Sequence, residues 1–243
     1  MDNFWSKDFI GGPFVLMGPQ HLIALTILVL LGIGLFLWRN PSEKAKRNIR
    51  YGLAIILVVD EFVWHLWNYS NGVWSIKTTL PFHVCSILVF LSAAMLISKN
   101  YSLYEICYFL GLGAATQAIL TPDLGIFTFP HFRYFQTFVS HGSIVLAALY
   151  MTAVEGYRPH WKSLLRVIAI LSIYTIFVGG INALLGSNYM FIAHKPETPS
   201  LIDLLAPWPF YIVELIGIAL FVFIILYLPF AIRDWTRKDS PKT

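Results

Sequence analysis

The chain has 243 residues, of which 57% are hydrophobic and only 12% are charged, and its net charge is +4. A water-soluble domain carries about 25% charged residues, so this composition excludes an ordinary soluble protein. Hydrophobic runs recur at close to the roughly 20 residues that a helix needs to cross a bilayer. We therefore predict an all-α polytopic membrane protein with a single transmembrane domain, residues 1–243.

Seven hydrophobic segments predict a bundle of seven transmembrane helices. They cover residues 20–38, 49–68, 80–97, 103–120, 132–154, 164–185 and 208–232. The connections are short and rich in Pro, Gly and Asn, which is typical of turns. The N-terminus has acidic residues and a Gly-Gly-Pro sequence in place of the basic start of a signal peptide. We therefore expect the first segment to be a permanent span.

Basic residues concentrate on one side of the predicted bundle. Thirteen of the Lys and Arg residues fall on the side of the 39–50 connection and the C-terminus, and the other side has four: Lys7, Lys77, Arg133 and Lys195. The positive-inside rule then predicts that the N-terminus is outside and the C-terminus is cytoplasmic. The basic surplus faces anionic lipid headgroups, so nucleic-acid binding is excluded.

Polar residues of the predicted spans lie mostly in their outer halves. In chain order they are Gln20, His21, Asp60, Glu61, His65, Asn68, His83, Cys85, Ser86, Thr116, Gln117, Arg133, Gln136, Thr137, Ser140, His141, Asn182 and Glu214. Glu105 is expected at the inner interface, where it would be solvated. Ionisable groups in a bilayer usually face the bundle interior and mark a site. We predict an outward-facing polar cavity; the alternative is a hydrogen-bond network that only fixes helix packing.

The second span carries a pattern that indicates pairing of side chains. Glu61, His65 and Asn68 follow the i, i+4, i+7 spacing of one helix face. A carboxylate one turn from an imidazole can orient that ring and raise its basicity. We expect Glu61 and His65 to interact and to contribute to substrate binding; a self-satisfied polar stripe is the alternative.

The third span begins with Leu-Pro-Phe-His-Val-Cys at 80–85. Pro suits the first turn of a helix, so we expect residues 80–83 to be helical. Residues at i and i+2 do not face each other on a helix, so His83 and Cys85 should not form a local pair. His141 is then the candidate base for the thiol. Two cysteines, Cys85 and Cys107, are too few for a disulfide framework, and we expect both to be free.

Two connections contain further candidates. Asp123, His131 and Arg133 lie among aromatic residues at the predicted outer interface. Arg133 suits a bidentate contact with a lipid phosphate, and an ordinary interfacial anchor is an equal alternative. The 186–209 connection is long enough to fold over the cavity as a lid.

Several sequence segments resemble one known family. They are LPFHVC at 80–85, QAILTPDL at 117–124, FPHFRYFQTFVSHG at 129–142, NYMF at 188–191 and PWPFY at 207–211. Over nearly the whole chain they are similar to the YwaF-like family of bacterial integral membrane proteins. The eukaryotic relatives of that family are the transmembrane protein 164 acyltransferases. The resemblance implies a multi-pass protein of a bacterial plasma membrane.

The resemblance also implies a chemistry. The eukaryotic members are lipid acyltransferases that use a histidine, which corresponds to His141, and a cysteine directly before the span-three histidine. Phe82 occupies that cysteine position here, and the nearest thiol is Cys85. The leading hypothesis is an acyltransferase or acyl hydrolase for phospholipids or lipid-linked substrates, with no cofactor. His141 would be the base and Cys85 or a bound water the nucleophile.

The remaining candidate residues have supporting roles in this hypothesis. His83, Asn182 or Gln117 would stabilise the oxyanion, a contribution of roughly 3 kcal/mol for one donor. Substrate binding is assigned to Glu61, His65, Gln117, Asp123, His131, Arg133, Asn182 and Glu214.

Two alternatives from other functional classes remain. A non-catalytic transporter or receptor would bind a solute or protons at Asp60, Glu61 and Glu214, although the chain has no internal repeat of the transporter kind. A zinc-dependent hydrolase would use His21, His65, His83 and His141. It ranks lowest because the sequence contains no HxxxH or HExxH spacing.

Overall fold

The computed structural model describes residues 2–197 and 201–238, and within them the fold is all-helical, without β-strands. The α-helices are α1 (Asp2–Trp5), α2 (Pro19–Leu37), α3 (Glu43–Ser70), α4 (Val84–Ser98), α5 (Tyr101–Ile106), α6 (Thr116–Leu120), α7 (Phe132–Ala153), α8 (Trp161–Leu185) and α9 (Phe210–Lys238). A π-helical segment, Cys107–Ala115, joins α5 to α6. Two 3-10 turns, Tyr189–Phe191 and Leu201–Leu204, lie between α8 and α9.

Every predicted span overlaps a helix, and the described residues contain four stretches long and apolar enough to cross a membrane. These are Pro19–Leu37, Tyr101–Leu120, Trp161–Leu185 and Phe210–Thr236. The other three predicted spans correspond to α3, α4 and α7. Helix α4 has only 15 residues, and α3 and α7 contain many polar side chains. The seven-span count and the orientation of the termini therefore stay predictions.

The start of α4 differs from the sequence expectation. The helix begins at Val84, and the expectation that residues 80–83 are helical is wrong. The Phe82 N–H donates to the Leu80 carbonyl (2.8 Å), which makes a tight turn. The Leu80 N–H donates to the Tyr189 hydroxyl (3.0 Å). These two hydrogen bonds hold residues 80–82 in a non-helical conformation.

The chain divides into two compact units. The first consists of Met1–Trp74 and Cys85–Tyr157, and the second of Ser75–Val84 and Arg158–Thr243. The first unit contains α2 to α7, and its fully buried side chains include Leu57, Leu88, Phe109 and Ile144. In the second unit, α8 and α9 pack together, and Val178, Tyr189 and Ile192 form a small core under the turn that precedes α9.

Residues 5–7 lie over the C-terminal end of α3 in the first unit. The Trp67 indole N–H donates to the Trp5 carbonyl (2.9 Å), and the Trp5 indole donates to the Ser70 hydroxyl (2.9 Å). The backbone N–H of Lys7 donates to the Asn71 side chain (2.9 Å). These bonds fix the position of the segment above the polar residues of α3.

The π-helical segment packs closely against α7. A Cβ placed on Gly111 would lie 3.1 Å from Cγ2 of Ile144, so a larger residue there would press on the Ile144 side chain. π-Helices are rare and occur frequently at functional sites. Glu105, expected to be solvated at the inner interface, is instead buried just before this segment, with 3% of its surface exposed.

Candidate functional site

Glu61 and His65 form a pair on one face of α3, as their spacing predicts. His65 Nε2 lies 3.5 Å from Oε1 of Glu61, which is 4% exposed. The Trp74 indole N–H donates to His65 Nδ1 (3.0 Å). Since Nδ1 accepts this bond, the proton of the neutral ring is on Nε2, although Glu61 Oε1 is without a hydrogen-bond partner among the described residues. The Trp74 contact therefore fixes the tautomer of His65.

A second polar group links α7 to α3 in the same unit. Arg133 Nη1 donates to the Gln136 side-chain oxygen, and Gln136 Nε2 donates to Asp60 Oδ2 (3.2 Å). The guanidinium carbon lies 3.9 Å from the centroid of the Trp64 ring, a favourable cation–π arrangement. Arg133 is thus bound to its own unit and stacked on Trp64, and Gln136 connects its charge to the Asp60 carboxylate.

His141 has the opposite tautomer to His65. Its Nδ1 lies 2.8 Å from the Thr137 carbonyl oxygen, one turn earlier on α7. A carbonyl only accepts hydrogen bonds, so Nδ1 carries the proton and Nε2 holds the lone pair. In the described part of the chain, Nε2 has no hydrogen-bond partner. His141 is half-buried, and its predicted role as a base stays a prediction.

His131 is a structural residue at the start of α7. Its Nδ1 accepts from the Arg133 N–H (3.1 Å), which caps the helix, and its Nε2 lies 3.0 Å from the Ser6 carbonyl. Burial is the main cause that lowers the pKa of His131. The hydrogen bond to the Ser6 carbonyl raises the pKa, and the nearby charge of Arg133 lowers it further. The ring is therefore neutral, with its proton on Nε2, and both nitrogens are occupied.

Two predicted ligands are exposed. The Gln117 side chain donates to the Thr121 hydroxyl (2.7 Å), one turn later. Asp123 is also exposed, and its charge acts on Arg133. The hydrogen bonds from Arg133 through Gln136 to Asp60 include neither residue, and the substrate-binding roles of Gln117 and Asp123 stay predictions.

The structure describes no imidazole that is hydrogen-bonded to the Cys85 thiol. Cys85 is half-buried in the first turn of α4, and both it and Cys107 are free. Among the residues that the structure describes, no imidazole is hydrogen-bonded to the Cys85 sulfur. A thiol in apolar surroundings is usually inert, so the local environment does not activate Cys85.

His83 belongs to the second unit, directly before α4. Its Nδ1 accepts from the Met190 N–H (3.2 Å), so the neutral ring has its proton on Nε2, a hydrogen-bond donor. The ring contacts Tyr189 and Phe191, with centroids 5.3 and 5.4 Å away. Met190 and Phe191 both have φ near +55°, at 58° and 53°. This conformation is strained for residues with side chains, and such strain clusters at functional sites.

Asn182 and Tyr189 form the bonds that hold this strained turn. The Asn182 side-chain oxygen accepts from the Tyr189 N–H (2.8 Å) and the Ser187 hydroxyl (2.8 Å). Its amide group donates to the Tyr189 carbonyl (3.0 Å). The Tyr189 hydroxyl donates to the Ile76 carbonyl (2.8 Å), and burial raises the pKa of this phenol. Asn182 therefore braces the backbone, and its predicted oxyanion role stays a prediction.

Glu214 also has a local structural contact. Its side chain is exposed on the first turns of α9, and Oε2 accepts from the Ala206 N–H (2.8 Å). The predicted role of Glu214 in substrate binding stays a prediction. The 186–209 connection, predicted as a lid, is tied down on its described residues by the Tyr189 bonds and by the Trp208 indole, which donates to the Ile192 carbonyl (3.1 Å). Residues 198–200 lie outside the described residues.

The candidate residues thus divide between the two units. The first unit brings Glu61 and His65 together and links Arg133 to Asp60 through Gln136. The second unit contains His83, Asn182 and Glu214. Gln136 was not among the predicted ligands, and Asp60 was named only in the transporter alternative, although their place beside Glu61 and Arg133 in the polar pattern was a signal. Over the described ranges, no three His, Cys, Asp or Glu residues are placed to bind a metal ion, so the zinc alternative has no ligand set there.

The fold and these buried polar groups define an all-helical membrane protein. The model of the TMEM164 family matches residues 16–227, and the chain belongs to this family. The match does not extend to the bacterial YwaF-like assignment, which stays a resemblance, as does the bacterial plasma membrane. No curated protein and no solved structure matches the chain.

Proposed function

We propose that this protein is an intramembrane enzyme that transfers or hydrolyses acyl groups of membrane lipids, with His141 as its general base. Membership of the TMEM164 family and the lipid chemistry implied by the resemblance support this activity. The observation that carries the proposal is the arrangement of His141, whose Nδ1–H is held by the Thr137 carbonyl while the Nε2 lone pair has no partner in the described residues.

The reaction that suits this geometry begins at a hydroxyl group. His141 Nε2 removes the proton from a water or an acceptor alcohol as its oxygen attacks the ester carbonyl. The tetrahedral intermediate collapses, the bond between the acyl carbon and the original alcohol breaks, and that alcohol takes the proton from the imidazolium. The Thr137 carbonyl stabilises the imidazolium through Nδ1–H. A positioned general base contributes typically 10²- to 10⁴-fold to the rate.

The surroundings of Cys85 favour direct attack by a hydroxyl over a thioester. The nucleophile of a thiol enzyme is the thiolate, which an adjacent imidazole or other positive group stabilises. Cys85 has no hydrogen-bonded imidazole among the described residues. The hydroxyl route needs only His141 and matches the replacement of the family cysteine by Phe82.

The test compares two substitutions in purified protein reconstituted into vesicles. The vesicles contain a phospholipid with an isotopically labelled acyl chain and a lysophospholipid acceptor, and mass spectrometry follows labelled products. We expect the wild type and Cys85→Ala to form product at similar rates, and His141→Gln to lose about 100-fold or more. Wild-type turnover by His141→Gln would remove the base from the mechanism, and loss of turnover in Cys85→Ala alone would restore the thioester route.

A second candidate is a transporter or receptor that binds protons or a small solute, and one observation favours it. Glu61 Oε1 is buried and has no hydrogen-bond partner in residues 2–197 or 201–238. A buried carboxyl group in that condition usually has a functional explanation. Flux of protons or solute across vesicles that Glu61→Gln abolishes, with no change in any lipid, would favour this function over the enzyme.

A further inference from the structure

An apolar groove of about 490 Å³ runs along α2 in the first unit. It lies between α2, α7 and α6, and Thr116 is the one polar residue in its lining. On α2 it extends from Leu25 to Leu37. Gly32 lies opposite Leu149 of α7, and a Cβ on Gly32 would be 3.4 Å from that side chain. The small residue therefore keeps the groove open at its middle.

The length of the groove fits one lipid chain. The interval from Leu25 to Leu37 is 12 helical steps, about 18 Å at 1.5 Å per residue. The hydrocarbon core of a bilayer is about 30 Å thick, so one leaflet is about 15 Å deep. Since α2 is long and apolar enough to cross a membrane, the molecules that surround this groove are lipid tails. An acyl chain matches the groove in both length and polarity.

The volume of the groove also fits an acyl chain. An apolar protein cavity of about 150 Å³ holds one benzene molecule. The groove, at about 490 Å³, corresponds to about three such six-carbon units, or roughly 18 carbons. A single long acyl chain fills this space.

The groove is in register with His141. His141, Val145 and Leu149 follow the i, i+4, i+8 spacing of one face of α7, and the last two line the groove. The next residue, Gly142, contacts α2 at Leu28, because a Cβ there would lie 2.5 Å from the Leu28 side chain. The imidazole is thus one helical turn from the groove, at the end where α2 contributes Leu25 and Leu28.

We propose that this groove binds the acyl chain of the substrate lipid and selects its length. The inference rests on the proposed function, since it places the ester next to His141 and the chain along α2 toward Leu37. Chains of about 16 to 18 carbons fill the groove. Shorter chains leave part of it empty and lose van der Waals contacts with its walls.

The test fills the groove and leaves the opposite side of α2 as a control. Gly32→Leu places a side chain between α2 and Leu149. Gly34→Leu adds the same side chain where a Cβ meets no described neighbour within 4 Å. Both variants are compared with the wild type in vesicles that contain phospholipids with 8- to 18-carbon chains, and thermal unfolding in detergent checks that each variant folds.

We expect Gly32→Leu to reduce turnover of 16- and 18-carbon chains by about fivefold or more, because the added side chain takes up space that the long chain fills, while turnover of 8- to 10-carbon chains stays close to that of the wild type. Gly34→Leu should keep the wild-type profile. Equal profiles for Gly32→Leu and Gly34→Leu would overturn the groove and leave the enzyme proposal intact. If the wild type turns over no chain, the proposed function fails, and the groove is tested separately.

That separate measurement uses a phospholipid with a photoreactive diazirine near the end of one acyl chain. If the groove holds a chain, light should crosslink the probe to residues 25–37 and 145–149 in the wild type and in Gly34→Leu, and Gly32→Leu should lose this labelling. Labelling that is the same in all three proteins, or that falls elsewhere on the chain, would overturn the proposal.

Discussion

Replacement of Asn182 by alanine tests whether this residue braces the turn beside His83. Its side chain makes three hydrogen bonds, two of them to the Tyr189 backbone, and it is 5% exposed. Tyr189 itself is fully buried, so its N–H and carbonyl would lose their partners in a place that water does not reach. Each unsatisfied buried group costs about 1–3 kcal/mol, which gives about 2–6 kcal/mol for the two.

Thermal unfolding of the purified protein in detergent measures this loss. In a chain of this size, 1 kcal/mol shifts the midpoint by about 2–4 °C, so Asn182→Ala should unfold at least about 4 °C below the wild type. Thr175→Val is the matched control on α8, because the Thr175 hydroxyl donates to the Leu171 carbonyl one turn before it (2.8 Å), a bond within the helix itself. A midpoint for Asn182→Ala within 1 °C of Thr175→Val would refute the bracing role.

The close approach of α7 to α2 and the capping of α7 give two further predictions. Gly142→Ala should lower the free energy of unfolding by about 1–3 kcal/mol through overpacking, and Leu28→Ala in the same protein should restore part of that loss. Gly180→Ala is the control and should be neutral, because a Cβ there has no described neighbour within 4 Å. Equal thermal unfolding midpoints for the two glycine variants would contradict the contact. Burial lowers the pKa of His131, so its contribution to stability is complete above its ordinary pKa of about 6.5 and falls as the pH drops from there toward the folded-state pKa. His131→Gln should therefore flatten the dependence of the unfolding midpoint between pH 7.5 and 5.5, and an unchanged slope would mean that another group causes it.

The helices could be predicted from the sequence because long apolar runs specify them directly. The contact of Glu61 with His65 was predictable for a similar reason, since residues four apart on a helix are neighbours whatever the tertiary fold. The tautomer of His65 was not, because it depends on Trp74, in the turn after the helix.

Contacts between distant parts of the chain account for what the sequence did not indicate. The start of α4 depends on the Tyr189 hydroxyl, which is 109 residues from Leu80. Asn182 and Glu214 were polar residues in apolar segments, a pattern that fits a binding site and a backbone brace equally well. The backbone contacts of both residues depend on the fold of the connection before α9. The π-helical segment, Cys107–Ala115, has the same apolar composition as an α-helix, so composition does not predict it.

The most direct test of His141 as the general base is chemical rescue. His141→Ala removes the imidazole and leaves a space beside the Thr137 carbonyl, and free imidazole added to the vesicles can occupy it. We predict that His141→Ala forms no labelled lipid product alone and that turnover rises in proportion to added imidazole, while Cys85→Ala is unaffected. Full turnover by His141→Ala without imidazole would contradict the account, as would an active wild type whose His141→Ala variant no concentration of imidazole restores.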